Sequence, residues 1–121
     1  MLDTNLTHVE SHEEMKELLE NNAHVMVCCG RMGPMCIPVY GIMEKLESEY
    51  QSVRLVDMDF DIPAASFIRG LPECALFMGL PFTVYFKDGK VVHATTSIQN
   101  EGQIRGILDE VFKATKDVDY A

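Results

Sequence analysis

Four cysteines and eight methionines carry the most specific chemistry in this 121-residue chain, and several of them gather in one stretch. Arg31-Met32-Gly33-Pro34-Met35-Cys36 sets a Gly-Pro turn among sulfur-bearing side chains, after an apolar run and before an amphipathic one. A thiol in the first turn of a helix meets unpaired N–H groups and the positive end of the helix dipole, which favour the thiolate and lower its pKa. Cys36 is expected there, which makes it the candidate nucleophile: a monothiol that is glutathionylated or attacks a mixed disulfide. The plainer reading, a small half-buried residue without chemistry, is the preferred one. Thioethers form neither thiolates nor disulfides, so Met32 and Met35 are excluded from thiol exchange. Together with Cys36 they would suit a soft cation such as Cu(I), or an apolar surface that holds a peptide.

Cys28 and Cys29 are neighbours in an apolar run, so on a strand their side chains point to opposite faces of a sheet, and core filling is the better account of both. Too few and too irregularly placed for a secreted disulfide framework, the cysteines are expected to be reduced. The histidines His8, His12, His24 and His93 show no ligand-like spacing and read as surface or strand-edge residues. Neither a cofactor nor a metal is expected. Met15, Met43 and Met58 read as core filler.

The elements that must position these residues are legible from periodicity and capping. Leu6 to Val9 is a short β-type run, and Ser11 with Glu14 forms a capping box that opens a helix to about Asn21, with Met15, Leu18 and Leu19 inward. Residues 23 to 29 are continuously apolar up to Gly30, the pattern of a central strand covered on both faces. After Gly33-Pro34, Ile37, Tyr40, Met43 or Glu44, and Leu46 or Glu47 fall at helical spacings, with Pro38 in or near the first turn, where its missing N–H costs little. A strand from Val53 and a short helix from Ala64 to Arg69, closed at Gly70, come next. Residues 82 to 86 and 90 to 96 flank Asp88-Gly89, a hairpin turn signal. Asn100 and Gln103 cap a last helix to about Thr115.

Length and 47% hydrophobic content suit one domain over residues 1–121, able to bury roughly two-thirds of its unfolded surface. Ten Lys and Arg against 19 Asp and Glu leave a net charge of -9, which repels phosphate backbones and anionic lipid. Nucleic acid and membranes are therefore poor partners. An N-terminus without a basic head or a long apolar run implies no signal peptide or membrane anchor, and so a cytoplasmic location.

The order βαβαβαββα predicts an α/β fold with a mixed central sheet flanked by helices. The chain resembles the thioredoxin family over nearly its whole length, through VMVCCGRMGPMC, EKLESEY, RLVDMDFD and GLPFTVYFKDGKVV in the family's order and approximate spacing. The resemblance implies a thioredoxin fold, with Pro81 in the place of the family's cis-proline. It also implies a groove in which Met32, Gly33, Pro34, Met35, Leu80, Pro81 and Phe82 hold an extended segment of a protein or peptide partner, by strand addition.

The family's redox site resembles W-C-G-P-C-K. Read forward from the strand, both cysteine positions are methionine; counted back from Glu49-Tyr50, Cys36 falls at the second. Neither register supplies the attacking cysteine, and Met26 stands where the family often has a buried acid. The segment LPECALFM is longer than the family's usual connection, and its place in such a fold would bring Cys74 near the turn, to resolve Cys36 or to anchor the loop, with Met78 as a further soft ligand. The resemblance thus implies a binding module without dithiol chemistry. A monothiol oxidoreductase or redox sensor at Cys36, with or without Cys74, is the alternative, and Cu(I) binding by Met32, Met35 and Cys36 the third.

Overall fold

The structure is a computed structural model that describes residues 2–76 and 79–112. Met78 and residues 113 to 115, where the sequence predicts the end of the last helix, lie outside the described residues.

Strand β2, His24–Gly30, organises the sheet. Its run of apolar residues fits two covered faces, and every residue from Val25 to Gly30 is buried. It pairs in parallel with β3, Arg54–Asp59, and antiparallel with β4, Phe82–Lys87. A two-residue β1, Thr7–His8, lies parallel to β3, and β5, Lys90–Thr96, lies antiparallel to β4. The five-stranded order is β1-β3-β2-β4-β5. Alternation along β2 divides the core. Met26 and Cys28 face one cluster with Tyr40, Met43, Leu46, Ile104 and Leu108; Val25, Val27 and Cys29 face another with Met15, Met58 and Ile68. The adjacent cysteines therefore point to opposite faces.

Helix α1, His12–Asn21, begins as its capping box dictates. The Glu14 N–H donates to Ser11 Oγ at 3.1 Å, and the Ser11 hydroxyl and Glu10 N–H donate to Glu14 Oε1, an arrangement worth about 1 kcal/mol. Helix α2, Ile37–Leu46, buries Val39, Tyr40, Met43 and Leu46. Ile37, expected on that apolar face, is instead 48% exposed, because Val39 occupies the inward position of the first turn. A 3₁₀ turn, Pro63–Ala65, runs into the short α3, Ser66–Arg69, and a second 3₁₀ segment, Pro72–Leu76, follows. Asp88 and Gly89, at φ 52° and 80°, make the hairpin turn from β4 to β5, a geometry that favours glycine and tolerates aspartate. Helix α4, Glu101–Phe112, starts with Asn100 and Gln103 each accepting the other's N–H at 2.8 Å.

One row of side chains crosses the whole sheet on the α2 side. Register aligns His8 with Asp57, Asp57 with Cys28, Cys28 with Thr83, and Thr83 with Thr95. Asp57 is fully buried. Its Oδ1 lies 2.6 Å from His8 Nδ1 and its Oδ2 accepts from the Thr4 hydroxyl, so His8 is a partner for a buried acid as well as an edge residue. Met26 occupies the central strand position, as read from the sequence, and the buried carboxylate belongs to the neighbouring strand.

Burial raises the Asp57 carboxyl above the usual value, against hydrogen bonds from Thr4 and His8. A raised carboxyl stabilises the fold while it is protonated, and that contribution is lost as pH climbs through the shifted value. Relative to Asp57→Asn, wild-type stability is expected to fall as pH rises from the usual carboxylate range through the raised titration of Asp57. Urea denaturation across that range checks this; a flat or rising difference contradicts it.

Candidate functional site

The Gly-Pro turn lies beyond the C-terminal end of β2, beside the segments that follow β3 and precede β4. Three approaches converge on Gly30. A Cβ there would stand 2.8 Å from Tyr40 Oη, 2.9 Å from Cys36 Sγ and 3.2 Å from Pro81 Cβ, contacts that only glycine accepts at that spacing. The Tyr40 hydroxyl donates to the Arg31 carbonyl at 3.1 Å, and the Phe60 N–H donates to the Gly30 carbonyl at 2.8 Å. The Leu80–Pro81 peptide is cis, and Pro81 itself is buried.

Between these segments lies an open groove of about 490 Å³, lined by Arg31, Gly33, Pro34, Met35, Cys36, Phe60, Gly79 and Leu80. Of the residues assigned to a peptide site from sequence, Gly33, Pro34, Met35 and Leu80 meet there. Met32 does not line it: its Sδ accepts the Asp3 N–H at 3.4 Å, on the side of the N-terminal segment. The Phe82 side chain is 1% exposed and packs in the cluster with Met15 and Val84, because strand alternation turns it into the core. Pro81 supports the groove from beneath rather than lining it.

Arg31, Phe60 and Gly79 complete the walls. Arg31 makes a bidentate pair with Asp61 at 2.7 and 2.8 Å, which holds the Asp61 carboxyl below the usual carboxylate value. Arg31 and Arg69 each place a guanidinium 5.6 Å from the Phe60 ring centroid, and Arg69 donates to the Phe60 carbonyl at 2.6 Å. A signal for Phe60 and Asp61 existed in the sequence: parallel strands present their sites beyond their carboxyl ends, and these residues follow β3 as Arg31 follows β2.

Cys36 precedes α2 and is 2% exposed. The amides expected to face its sulfur are engaged elsewhere: the Cys36 and Ile37 N–H groups both donate to the Gly33 carbonyl, and the Val39 and Tyr40 N–H groups to the Cys36 carbonyl. Pro38 has no N–H. Cys74 is not brought to Cys36. It packs against the cluster that contains Cys29 and Met15, whereas Cys36 belongs to the cluster of Cys28 and Tyr40. The sheet separates those clusters, so Cys74 anchors its loop. All four thiols are free. Burial pushes Cys28 well above the usual thiol value, Cys29 up to about 12, and Cys74 upward. The three suggested soft ligands divide as well: Met35 and Cys36 reach the groove and Met32 does not. Among the described residues, no three His, Cys, Asp or Glu side chains cluster as metal ligands.

Two outcomes follow. Gly30→Ala is expected to destabilise the protein by about 1–3 kcal/mol, read by urea denaturation, since the added methyl must displace Tyr40 or Cys36 in a packed site. Iodoacetamide on the native protein is expected to label Cys74, faster as pH rises, and to spare Cys28, Cys29 and Cys36 until denaturant is added. Rapid native labelling of Cys36 would restore the monothiol.

No family model and no curated protein matches the chain. Solved structures do. Thioredoxin from Plasmodium falciparum is 17% identical at a TM-score of 0.72, covering 88% of this chain and 99% of its own. An N21Q mutant thioredoxin from Halobacterium salinarum is 20% identical at 0.72, with 98% and 100% covered. Thioredoxin from Trypanosoma brucei brucei is 21% identical at 0.72, with 90% and 92% covered. At these identities the agreement lies in the path of the chain, and with the mixed sheet and four flanking helices it establishes that this protein has the thioredoxin fold.

Proposed function

We propose that this protein is a polypeptide-binding module that uses the groove between the Gly-Pro turn and the Leu80–Pro81 loop, without dithiol exchange. The observation that carries this reading is the sulfur chemistry of the groove. Its one cysteine, Cys36, is 2% exposed, while Met35, which also lines it, is 43% exposed. No two cysteines have C-x-x-C spacing, and a thioether has no thiolate form. Backbone on both sides of an open cleft, with apolar pockets between, suits an extended segment held by strand addition. Gly79, Leu80, Pro34 and Phe60 supply carbon surface for one or two apolar side chains. The net charge of -9 disfavours nucleic acid and anionic lipid. Among the described residues no helix is long and apolar enough to cross a membrane, and free thiols fit the reducing cytoplasm.

The monothiol reading keeps one observation in its favour, that Cys36 borders the groove. Two assays separate the readings. Wild type is expected not to accelerate insulin reduction by dithiothreitol. Fluorescein-labelled, carboxymethylated insulin B chain is expected to bind wild type, with Leu80→Asp weakening it about tenfold, because a carboxylate in the groove loses its hydration when the peptide docks. Robust wild-type turnover, or B-chain binding indifferent to Leu80→Asp, overturns the proposal.

A further inference from the structure

We propose that Met35 is a peroxide-sensitive modification site that closes the groove to apolar side chains when its thioether is oxidised. This rests on the binding reading above. Leaving aside Met1 and Met78, which lie outside the described residues, the methionines fall into two sets. Met15, Met26, Met43 and Met58 are fully buried, while Met32 and Met35 are 40% and 43% exposed. Oxygen transfer to sulfur requires the oxidant to reach the sulfur lone pair, so access selects the second pair.

Within that pair the surroundings differ. Met32 Sδ is held by the Asp3 N–H away from the groove, whereas Met35 lines the groove beside Gly33, Pro34, Phe60 and Leu80. The thiols do not shield it. Cys28, Cys29 and Cys36 are buried, and Cys74 sits against the opposite face of the sheet.

The step balances with one molecule of hydrogen peroxide. The sulfur donates an electron pair to one peroxide oxygen, an S–O bond forms as the O–O bond breaks, and the other oxygen leaves as water after proton transfer. Sulfur loses two electrons and peroxide gains them. The product is a strong hydrogen-bond acceptor on a wall of carbon. Arg31, the charged side chain at that wall, has its Nε and Nη2 already committed to Asp61. An apolar partner side chain docking there would strip water from the sulfoxide with poor replacement, which is unfavourable. Thiol-dependent sulfoxide reduction would reopen the groove.

The test treats folded Cys74→Ser protein with hydrogen peroxide, maps oxygen addition by peptide mass spectrometry, and measures binding of the labelled insulin B chain before and after. Oxygen is expected on Met32 and Met35 and not on the four buried methionines, with B-chain affinity falling about tenfold. Met35→Leu, measured against its own affinity before treatment, is expected to keep that affinity after peroxide, while Met32→Leu still loses it. Failure of Met35 to oxidise in the folded protein overturns the site whatever the binding result. Oxidised protein with undiminished affinity, or Met35→Leu losing affinity as wild type does, overturns the switch. Untreated protein that fails to bind the B chain overturns the binding reading itself, and the switch with it.

Discussion

Everything at this site depends on the close approach of three side chains to Gly30. A strand that ended in any side chain would hold the Tyr40 hydroxyl, the Cys36 sulfur and the Pro81 ring away from the end of β2. Without a Cβ they close on the backbone, and the Gly30 and Arg31 carbonyls then find donors in the Phe60 N–H and the Tyr40 hydroxyl. The turn, the start of α2, the segment after β3 and the loop before β4 become one packed unit. The groove is the surface that this unit leaves uncovered.

Beneath the unit, polarity is distributed unusually for a sheet interior. The row from His8 through Asp57, Cys28 and Thr83 to Thr95 crosses all five strands on one face, flanked by an apolar row that includes Leu55, Met26 and Tyr85. A buried carboxylate persists only with partners, and Asp57 has His8 and Thr4. Those partners come from the first eight residues, where Leu2 and Leu6 are also buried in the core. The N-terminal segment is thus tied down by packing and by hydrogen bonds to a charge that would otherwise be stranded.

Sulfur is placed by access. Four fully buried methionines fill the interior, as a flexible unbranched side chain does well, and three of the cysteines behave as small buried hydrophobes. Among the described residues, the exposed sulfur-bearing side chains are Met32 and Met35, with Cys74 half-covered behind the sheet. The groove therefore presents a methionine to solvent and keeps its cysteine buried.

The element order, the strand types and the helix starts were determined by the sequence itself, because their causes are local. A capping box acts over three residues, Asp88-Gly89 sets its own turn, and an unbroken apolar run such as 23 to 29 admits a central strand. Met32 and Met35 exclude thiol exchange at their own positions wherever they sit. Burial and neighbourhood were decided only by the tertiary structure. Phe82 and Met32 left the groove, Phe60 and Arg31 joined it, and Cys36 lost its free amides to the Gly33 carbonyl. Cys74 came to rest across the sheet from Cys36, and the buried acid emerged at Asp57. Each of these outcomes turns on which distant segments pack together, as Gly30 with Cys36 and Pro81, or His8 with Asp57, and no local pattern encodes the distance between such partners.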